Sequence, residues 1–299
     1  MNKLSTRYLN KKRRKIIDRW QHLTRYMRII CRRQLSLTRK KHGLGKPLVV
    51  SLTSYPPRFP YLHLTLKCLL SQTVKPDRIV LWIAHEDKDL LPEKVLQLST
   101  EGLEIRYCKN IFSFKKIIPA LETFPDAYIA TADDDVYYRS DWLGTLISAS
   151  KSSPDNIIAH RIHSITSRHG KIFPYEDWEQ DALSILPDSR NFPTGCMGVL
   201  YPPGSFHEDV TNAEKFLRLC PHADDIWLYW MANLAGTESR HSGSRHEIFN
   251  WKGTQRVGLW MQNTVDDGNN AQVEAMIEAY GLPWHHDHCK NTLPDSKSG

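Results

Sequence analysis

The stretch Ala127-Tyr-Ile-Ala-Thr-Ala-Asp-Asp-Asp135 is an apolar run followed directly by three aspartates. The run predicts a buried strand over 127–132. Ligands of open α/β sheets bind just beyond the carboxyl ends of the strands. We therefore expect the aspartate triplet (Asp133–Asp135) at a ligand-binding edge. The alternative is a solvated turn that caps a helix near Asp141; the buried strand before the triplet and Tyr137-Tyr138 after it favour the site.

Strands and helices alternate on both sides of this run, which predicts an α/β domain with a parallel, doubly wound sheet. The other predicted strands are 48–53, 78–83, 105–108, 156–162 and 195–201. The predicted helices are 62–70, 92–98, 114–124, 142–150, 224–234 and 271–280.

Basic residues are concentrated at the N-terminus of the 299-residue chain. Residues 1–46 hold 16 of the 40 Lys and Arg residues and a single acidic residue, Asp18. The remaining 24 basic residues are outnumbered by 32 acidic ones. This pattern predicts a basic arm on a mildly acidic globule, and we expect no nucleic-acid partner.

The arm carries apolar residues at helical spacing. These are Ile16, Trp20, Leu23, Met27 and Ile30, separated by 4, 3, 4 and 3 residues. A basic amphipathic helix with an aromatic residue on its apolar side is typical of binding to an anionic membrane surface. The alternative is an arm that packs on its own domain or on a partner protein.

Composition also favours a cytoplasmic protein, peripheral on the cytoplasmic face of the membrane. No apolar run approaches the ~20 residues that span a bilayer, and no apolar segment of a signal peptide follows the charged start. The six cysteines form no CxxC pair, so we expect reduced thiols and no zinc site.

The triplet also predicts a metal cofactor. Carboxylates repel a nucleoside diphosphate unless a divalent cation intervenes, and Asp-x-Asp offers Mg²⁺ or Mn²⁺ the oxygen ligands that they prefer. Such a cation would stabilise the charge that builds on a leaving phosphate.

Four segments in order resemble bacterial glycosyltransferases of the GT-A fold, in a family-2-like group from polysaccharide and lipopolysaccharide clusters. The resemblance covers about 46–284. The segments are Val49–Arg58, Gln72–Trp82, Lys115–Leu121 and Ala132–Tyr138. It implies a Rossmann-like, mostly parallel sheet flanked by helices, and transfer of a sugar from a nucleotide-sugar donor.

The resemblance also implies roles for donor-binding residues. Thr53, Tyr55 and Arg58 would lie along the nucleoside, and Glu86 or Asp87 would accept a hydrogen bond from the base. Lys115 or Lys116 would reach the diphosphate, unless these lysines are solvated surface residues.

Within the triplet, Asp133 would face the ribose or the metal, Asp134 would lie on the donor, and Asp135 would bind the metal. A C-terminal histidine, His286 or His288, would be a further metal ligand. The alternative for these histidines is a solvated polar tail.

The acidic pair (Asp224-Asp225) stands at a predicted helix start. Similar enzymes have a general base here, and we favour Asp225 over Asp224. An aspartate at this position can instead cap the helix with no further role.

Two positions depart from the family pattern. Met197 stands between Gly195 and Gly198 where relatives have glycine, and Asn269-Asn270 replaces an Asn-Asp pair. Asp266-Asp267 before it lacks the following glutamate of an EF-hand, which indicates a simple turn.

These observations predict an inverting, metal-dependent glycosyltransferase that moves a sugar, UDP-linked in our interpretation, to a glycan or lipid-linked glycan. The alternatives are a metal-dependent phosphotransferase or hydrolase and an inactive nucleotide-sugar-binding module. The predicted organisation is an arm over 1–46, a GT-A domain over 47–290 and a disordered tail over 291–299.

Overall fold

A seven-stranded sheet forms the centre of the computed structural model, which describes residues 20–29, 31, 40–251, 254 and 268–284. The strands are β1 (Leu48–Thr53), β2 (Arg78–Ala84), β3 (Leu103–Cys108), β4 (Tyr128–Ala132), β5 (Ile157–Ala159), β6 (Val199–Tyr201) and β7 (Ser239–His241). Their order is β7-β5-β6-β4-β1-β2-β3.

The sheet is mostly parallel, which confirms the predicted fold class. Strand β6 is the exception, because it runs antiparallel to both of its neighbours, β4 and β5. The strand predicted over 156–162 is interrupted: β5 ends at Ala159, and Ile162–Ser164 pairs with Asn191–Pro193 outside the sheet. The strand predicted over 195–201 begins only at Val199, because residues 195–198 form a turn.

Helices cover both faces of the sheet. They are α1 (20–29), α2 (Phe59–Leu70), α3 (Glu93–Leu96), α4 (Ile118–Thr123), α5 (Trp142–Ser152), α6 (Ala213–Leu219), α7 (Asp224–Leu234) and α8 (Gly268–Tyr280). Short 3₁₀ helices span Pro56–Arg58, His85–Leu90, Gln97–Glu101, Phe112–Lys116, Tyr175–Asp177 and Glu208–Thr211.

Strand β1 shows why the sheet lies inside the molecule. Leu48, Val50 and Leu52 join the core on the side of α2 and α5, while Val49 packs into a second cluster on the other face with Trp82. An apolar run buried on both faces is typical of a central parallel strand.

The N-terminal region contacts this domain at two places. Lys40–Lys41 pairs in parallel with Val74–Lys75, and Ile29 of α1 is buried in the core. A further small ladder joins Ser167–Arg168 to Lys171–Ile172. None of the described helices is both long and apolar enough to span a bilayer. The predicted tail over 291–299 lies outside the described residues.

Two glycines flank β6, and they allow a matched test of this part of the fold. Gly198 and Gly204 both have positive φ angles, of 99° and 81°. A Cβ on Gly198 would lie 2.6 Å from the ring of Trp142 and 2.9 Å from the carbonyl oxygen of Thr131, whereas a Cβ on Gly204 would meet nothing within 4 Å.

Gly198→Ala should therefore lower the free energy of unfolding by roughly 3 kcal/mol or more, because a steric clash adds to the strain of the left-handed backbone. Gly204→Ala should cost only about 1 kcal/mol. Urea unfolding measures both. Equal losses in the two variants would contradict the close packing of the 195–198 turn.

Candidate active site

The candidate site, called the cleft below, lies where β1 and β4 are neighbours. Leu52 is paired with Ala132, so both strands end at the same edge of the sheet. Strand order reverses here, since β2 and β3 lie beyond β1 while β6 lies beyond β4. Open α/β sheets bind ligands at such a switch point. The structure thus places the aspartate triplet opposite the segment that follows β1.

Arg58 and Ser54 make direct contacts between those two segments. Its Nη1 lies 2.5 Å from Oδ1 of Asp134, and its Nη2 lies 3.3 Å from Oδ2 of Asp135. Ser54 donates its hydroxyl to Oδ2 of Asp134 at 2.5 Å. Burial lowers the pKa of Arg58, but the carboxylates of Asp134 and Asp135 outweigh burial and raise it above its ordinary value. Arg58 is therefore the resident counter-ion of the triplet.

Asp133 faces the other side of the cleft. Its Oδ2 accepts a hydrogen bond from the backbone N–H of Met197 at 3.3 Å, and its own N–H donates to the hydroxyl of Tyr138 at 2.7 Å. Burial raises the pKa of Asp133 to about 7, with Asp135 and Asp134 adding to the rise and Lys116 opposing it. Asp133 is thus a buried carboxyl close to two other carboxyl groups and to Lys116.

The acidic pair lies at the start of α7 and holds Lys116. The Nζ of Lys116 is 2.6 Å from Oδ2 of Asp224 and 3.9 Å from Oδ1 of Asp225. The N-cap residue is Ala223, and no side chain caps the helix by a hydrogen bond, so the capping alternative for the pair is wrong. Gln272 of α8 instead accepts hydrogen bonds from the N–H groups of His222 and Ala223, both at 3.1 Å.

The two carboxylates of the pair differ in access. The side chain of Asp225 is 30% exposed, whereas that of Asp224 is 8% exposed. Burial and the neighbouring Asp224 raise the pKa of Asp225 to about 6, against the effect of Lys116 and a hydrogen bond from the N–H of Gly195. Asp225 is therefore reachable and has a pKa near neutrality, as a general base requires.

A four-residue turn joins these two groups of carboxylates. The N–H of Gly198 donates to the carbonyl of Gly195 at 3.1 Å, and Met197 lies in the left-handed region with a φ of 71°. Trp142 donates its indole N–H to the carbonyl of Met197 at 2.6 Å. The turn places Gly195 against Asp225 and Met197 against Asp133.

The remaining predicted donor residues form the opposite wall. The hydroxyl of Thr53 donates to the carbonyl of Trp82 at 2.8 Å, and the guanidinium of Arg58 lies 5.5 Å from the ring of Tyr55. Glu86 and Asp87 lie in the first turn of the 3₁₀ helix that follows β2.

Lys115 and Lys116 are both buried, so the surface alternative for them is wrong. Their partners differ: Lys116 turns to the acidic pair, while the Nζ of Lys115 donates to Oδ1 of Asn110 at 3.3 Å. Asn110 also donates to the carboxylate of Glu86. Lys115 thus lies near Asn110 and Glu86, whereas Lys116 is paired with the acidic pair.

Asn270 stands at one of the two positions that depart from the family pattern, and it is hydrogen-bonded to residues of the same protein. It accepts from the N–H of Tyr175 at 2.7 Å and donates to Glu176 at 3.0 Å, which ties α8 to the Tyr175–Asp177 helix. His286, His288 and the Asp266-Asp267 turn lie outside the described residues.

The fit to a metal ion follows from these contacts. Carboxylate oxygens of the triplet suit Mg²⁺ or Mn²⁺ chemically. Within the described residues, however, no three His, Cys, Asp or Glu side chains are arranged to share a metal ion. Arg58 contacts Asp134 and Asp135 instead. A cation at Asp133 and Asp135 would therefore compete with Arg58 and need further ligands.

Comparison with known proteins gives weak structural similarity only. No protein-family model matches the chain, and no curated protein matches its sequence. Similar solved structures include S. aureus TarS 1-349 in complex with UDP-GlcNAc, at 11% identity and a TM-score of 0.48, covering 77% of this chain and 66% of TarS. The TarS complex with UDP has 12% identity and a TM-score of 0.43, covering 67% of this chain and 59% of TarS.

A 4-diphosphocytidyl-2C-methyl-D-erythritol synthase from Anaerococcus prevotii has 14% identity and a TM-score of 0.39, covering 77% of this chain and 99% of the synthase. The matched part of this chain covers less than two thirds of the length of each TarS chain. At these levels the similarities do not assign a ligand to this protein.

The contacts of Lys116 give a test of the electrostatics. Lys116→Met should raise the pKa of Asp225 above its value near 6, because the opposing positive charge is removed. Lys115→Met is the matched control, since Lys115 is also buried but turns to Asn110. Carboxyl ¹³C NMR titration, with Asp225→Asn identifying the signal, measures the pKa. An unchanged pKa in Lys116→Met would contradict the assigned contact.

Proposed function

We propose that the chain is a glycosyltransferase of the GT-A fold that uses a nucleotide-sugar donor, UDP-linked in our interpretation, and inverts the configuration at the transferred carbon. The observation that carries the proposal is the meeting of the aspartate triplet and the acidic pair across the 195–198 turn. These two groups lie about ninety residues apart in the sequence, yet Met197 bonds to Asp133 and Gly195 bonds to Asp225.

The two groups would serve the two ends of the reaction. The donor diphosphate would lie along the triplet, with Thr53, Tyr55 and Glu86 on the nucleoside side and Lys115 near the diphosphate. Support comes from the position of Lys115, which is buried and interacts electrostatically with Asp134 of the triplet as well as with Asp87 and Glu86. The acceptor would approach from the side of Asp225, a glycan or lipid-linked glycan in this proposal.

In the proposed step, the oxygen of an acceptor hydroxyl forms a bond to C1 of the donor sugar. The bond between C1 and the diphosphate oxygen breaks, and the nucleoside diphosphate leaves with its electron pair. Asp225 takes the proton of the hydroxyl as the new bond forms. Asp224 stays paired with Lys116 and positions that lysine next to the base.

We further propose that Mg²⁺ or Mn²⁺ binds at Asp133 and Asp135 together with the donor, with His286 as a further ligand. When bound, the ion would neutralise charge on the leaving diphosphate. Support comes from the position of Asp133, a buried carboxyl whose pKa is raised first by burial and then by the neighbouring Asp135 and Asp134.

Thermal unfolding with a panel of UDP-, GDP- and CMP-sugars tests the donor. A UDP-sugar with Mn²⁺ should raise the Tm, because a ligand that binds only the folded state stabilises it by mass action. Slow transfer of the sugar to water, followed as released UDP, should accompany it. Release of inorganic phosphate without sugar transfer would favour the hydrolase alternative, and donor binding without turnover would favour the inactive module.

Substitutions in the acidic pair test the base. Asp225→Asn should retain the Tm shift but lower kcat by about 10²–10⁴-fold, the usual contribution of a general base. In the unsubstituted protein kcat should fall as pH drops through about 6, because Asp225 becomes protonated. Asp224→Asn should keep more activity than Asp225→Asn. Its fall in kcat should occur at lower pH than in the unsubstituted protein, because a like charge beside Asp225 is lost. An identical pH profile for Asp225→Asn would exclude Asp225 as the base.

Calorimetric titration of the protein with Mn²⁺ in the presence of UDP tests the metal site, because the proposed ion binds together with the donor. Asp135→Asn should abolish binding. Arg58→Gln should tighten it by roughly tenfold, because a competing positive charge next to Asp135 is removed. Arg78→Gln is the control, since Arg78 pairs with Glu104 away from the cleft. Binding that is equal in all variants would place the ion elsewhere.

A further inference from the structure

Helix α1 is attached to the domain through the side that carries His22, Arg25 and Ile29. The guanidinium of Arg25 lies 3.6 Å from the centroid of the Phe249 ring, and the ring of His22 lies 4.6 Å from the same centroid. Ile29, on the same side of the helix, is buried in the core. The three positions are spaced by three and four residues, so they form one side of the helix.

The opposite side of α1 is apolar and exposed. Trp20 is 63% exposed, Leu23 51% and Met27 49%, and Tyr26 beside them is 39% exposed. A surface helix of a globular protein normally turns its apolar side inward. Here the apolar side faces outward although the helix is packed on the domain. Contiguous exposed apolar side chains of this kind mark an interaction surface.

The positive charge of the N-terminal region indicates what binds the exposed apolar side of α1. The apolar side lies within residues 1–46, which hold 16 Lys and Arg residues and one acidic residue. Trp and Tyr favour the boundary between lipid and water, and basic residues are attracted to anionic lipids. We propose that this outer face (Trp20, Leu23, Tyr26 and Met27) docks on an anionic membrane surface.

The attachment of α1 links this surface to the catalytic cleft. Arg25 and His22 contact Phe249, whose carbonyl accepts from the N–H of Tyr137 at 2.8 Å. Trp251, 6.2 Å from the ring of His22, donates its backbone N–H to the carbonyl of Asp135 at 2.9 Å. The helix therefore packs on residues that are bonded to the triplet segment.

A membrane-bound α1 would hold the cleft close to the lipid surface. Resting on the proposed function, this points to an acceptor that is itself anchored in the membrane, a lipid-linked glycan. Because anionic lipids are enriched in the cytoplasmic leaflet, that leaflet is the surface we propose.

Co-sedimentation of the full chain with vesicles tests the docking. The protein should bind phosphatidylcholine vesicles that contain phosphatidylglycerol, bind pure phosphatidylcholine vesicles far less, and lose binding as salt is raised. The matched variants are Leu23→Glu and Thr24→Glu, which add the same charge at adjacent exposed positions of α1. Leu23→Glu should bind roughly tenfold more weakly than Thr24→Glu, because only Leu23 contributes apolar area to the outer face.

Equal binding by the two variants, or no binding by the unsubstituted protein, would overturn the proposal. Sedimentation velocity gives a further decisive outcome: self-association that Leu23→Glu abolishes would assign the outer face to a second copy of the chain. The vesicle measurement uses no donor, so failure of the proposed transferase function would leave it unaffected. Both variants should keep the Tm of the unsubstituted protein, since both positions are exposed.

Discussion

The charges in the cleft are unequal, and this imbalance determines the properties of the site. The aspartate triplet and the acidic pair bring carboxyl groups together, and the cations paired directly with them in the described residues are Arg58 and Lys116. A buried carboxylate that is incompletely compensated binds a proton more readily. Burial is the main cause of the raised pKa values of Asp133 and Asp225, about 7 and about 6, and the neighbouring carboxylates add to it. The folded cleft should therefore bind a further proton or cation readily.

This imbalance limits how a nucleotide-sugar could bind. A diphosphate brings more negative charge to a region that already has an excess, so it would be repelled from the triplet unless a cation arrived with it. Arg58 shields Asp134 and Asp135 in the donor-free protein. Lys116 is less available to a donor, because its Nζ lies 2.6 Å from the carboxylate of Asp224 in the acidic pair. The two cations therefore have separate tasks, one at each end of the proposed reaction.

Regular elements of the fold were predictable, whereas most of the contacts between them were not. The bounds of β1 and α7 agree with the sequence prediction, because each is an apolar segment with a clear start and end. The 195–198 turn was predicted as strand, since its conformation depends on Trp142, which is distant in sequence. Likewise, no local pattern shows that Gln272 binds the start of α7, because that contact joins residues 49 positions apart. Periodicity identified the apolar side of α1, but only packing shows that it faces outward.

The 195–198 turn explains how the two ends of the cleft are held in register. A Cβ on Gly195 would lie 2.7 Å from Oδ1 of Asp225 and 2.8 Å from Nζ of Lys116, so a larger residue there would displace the ends of these two side chains. Two residues later, Met197 adopts a left-handed conformation that costs about 1–3 kcal/mol. Its buried side chain and the bond from Trp142 hold it there, with its N–H directed at Asp133. An inverting displacement requires the base and the leaving group on opposite sides of one carbon. Under the proposed mechanism, the backbone of the 195–198 turn would set that separation, because it contacts both Asp133 and Asp225.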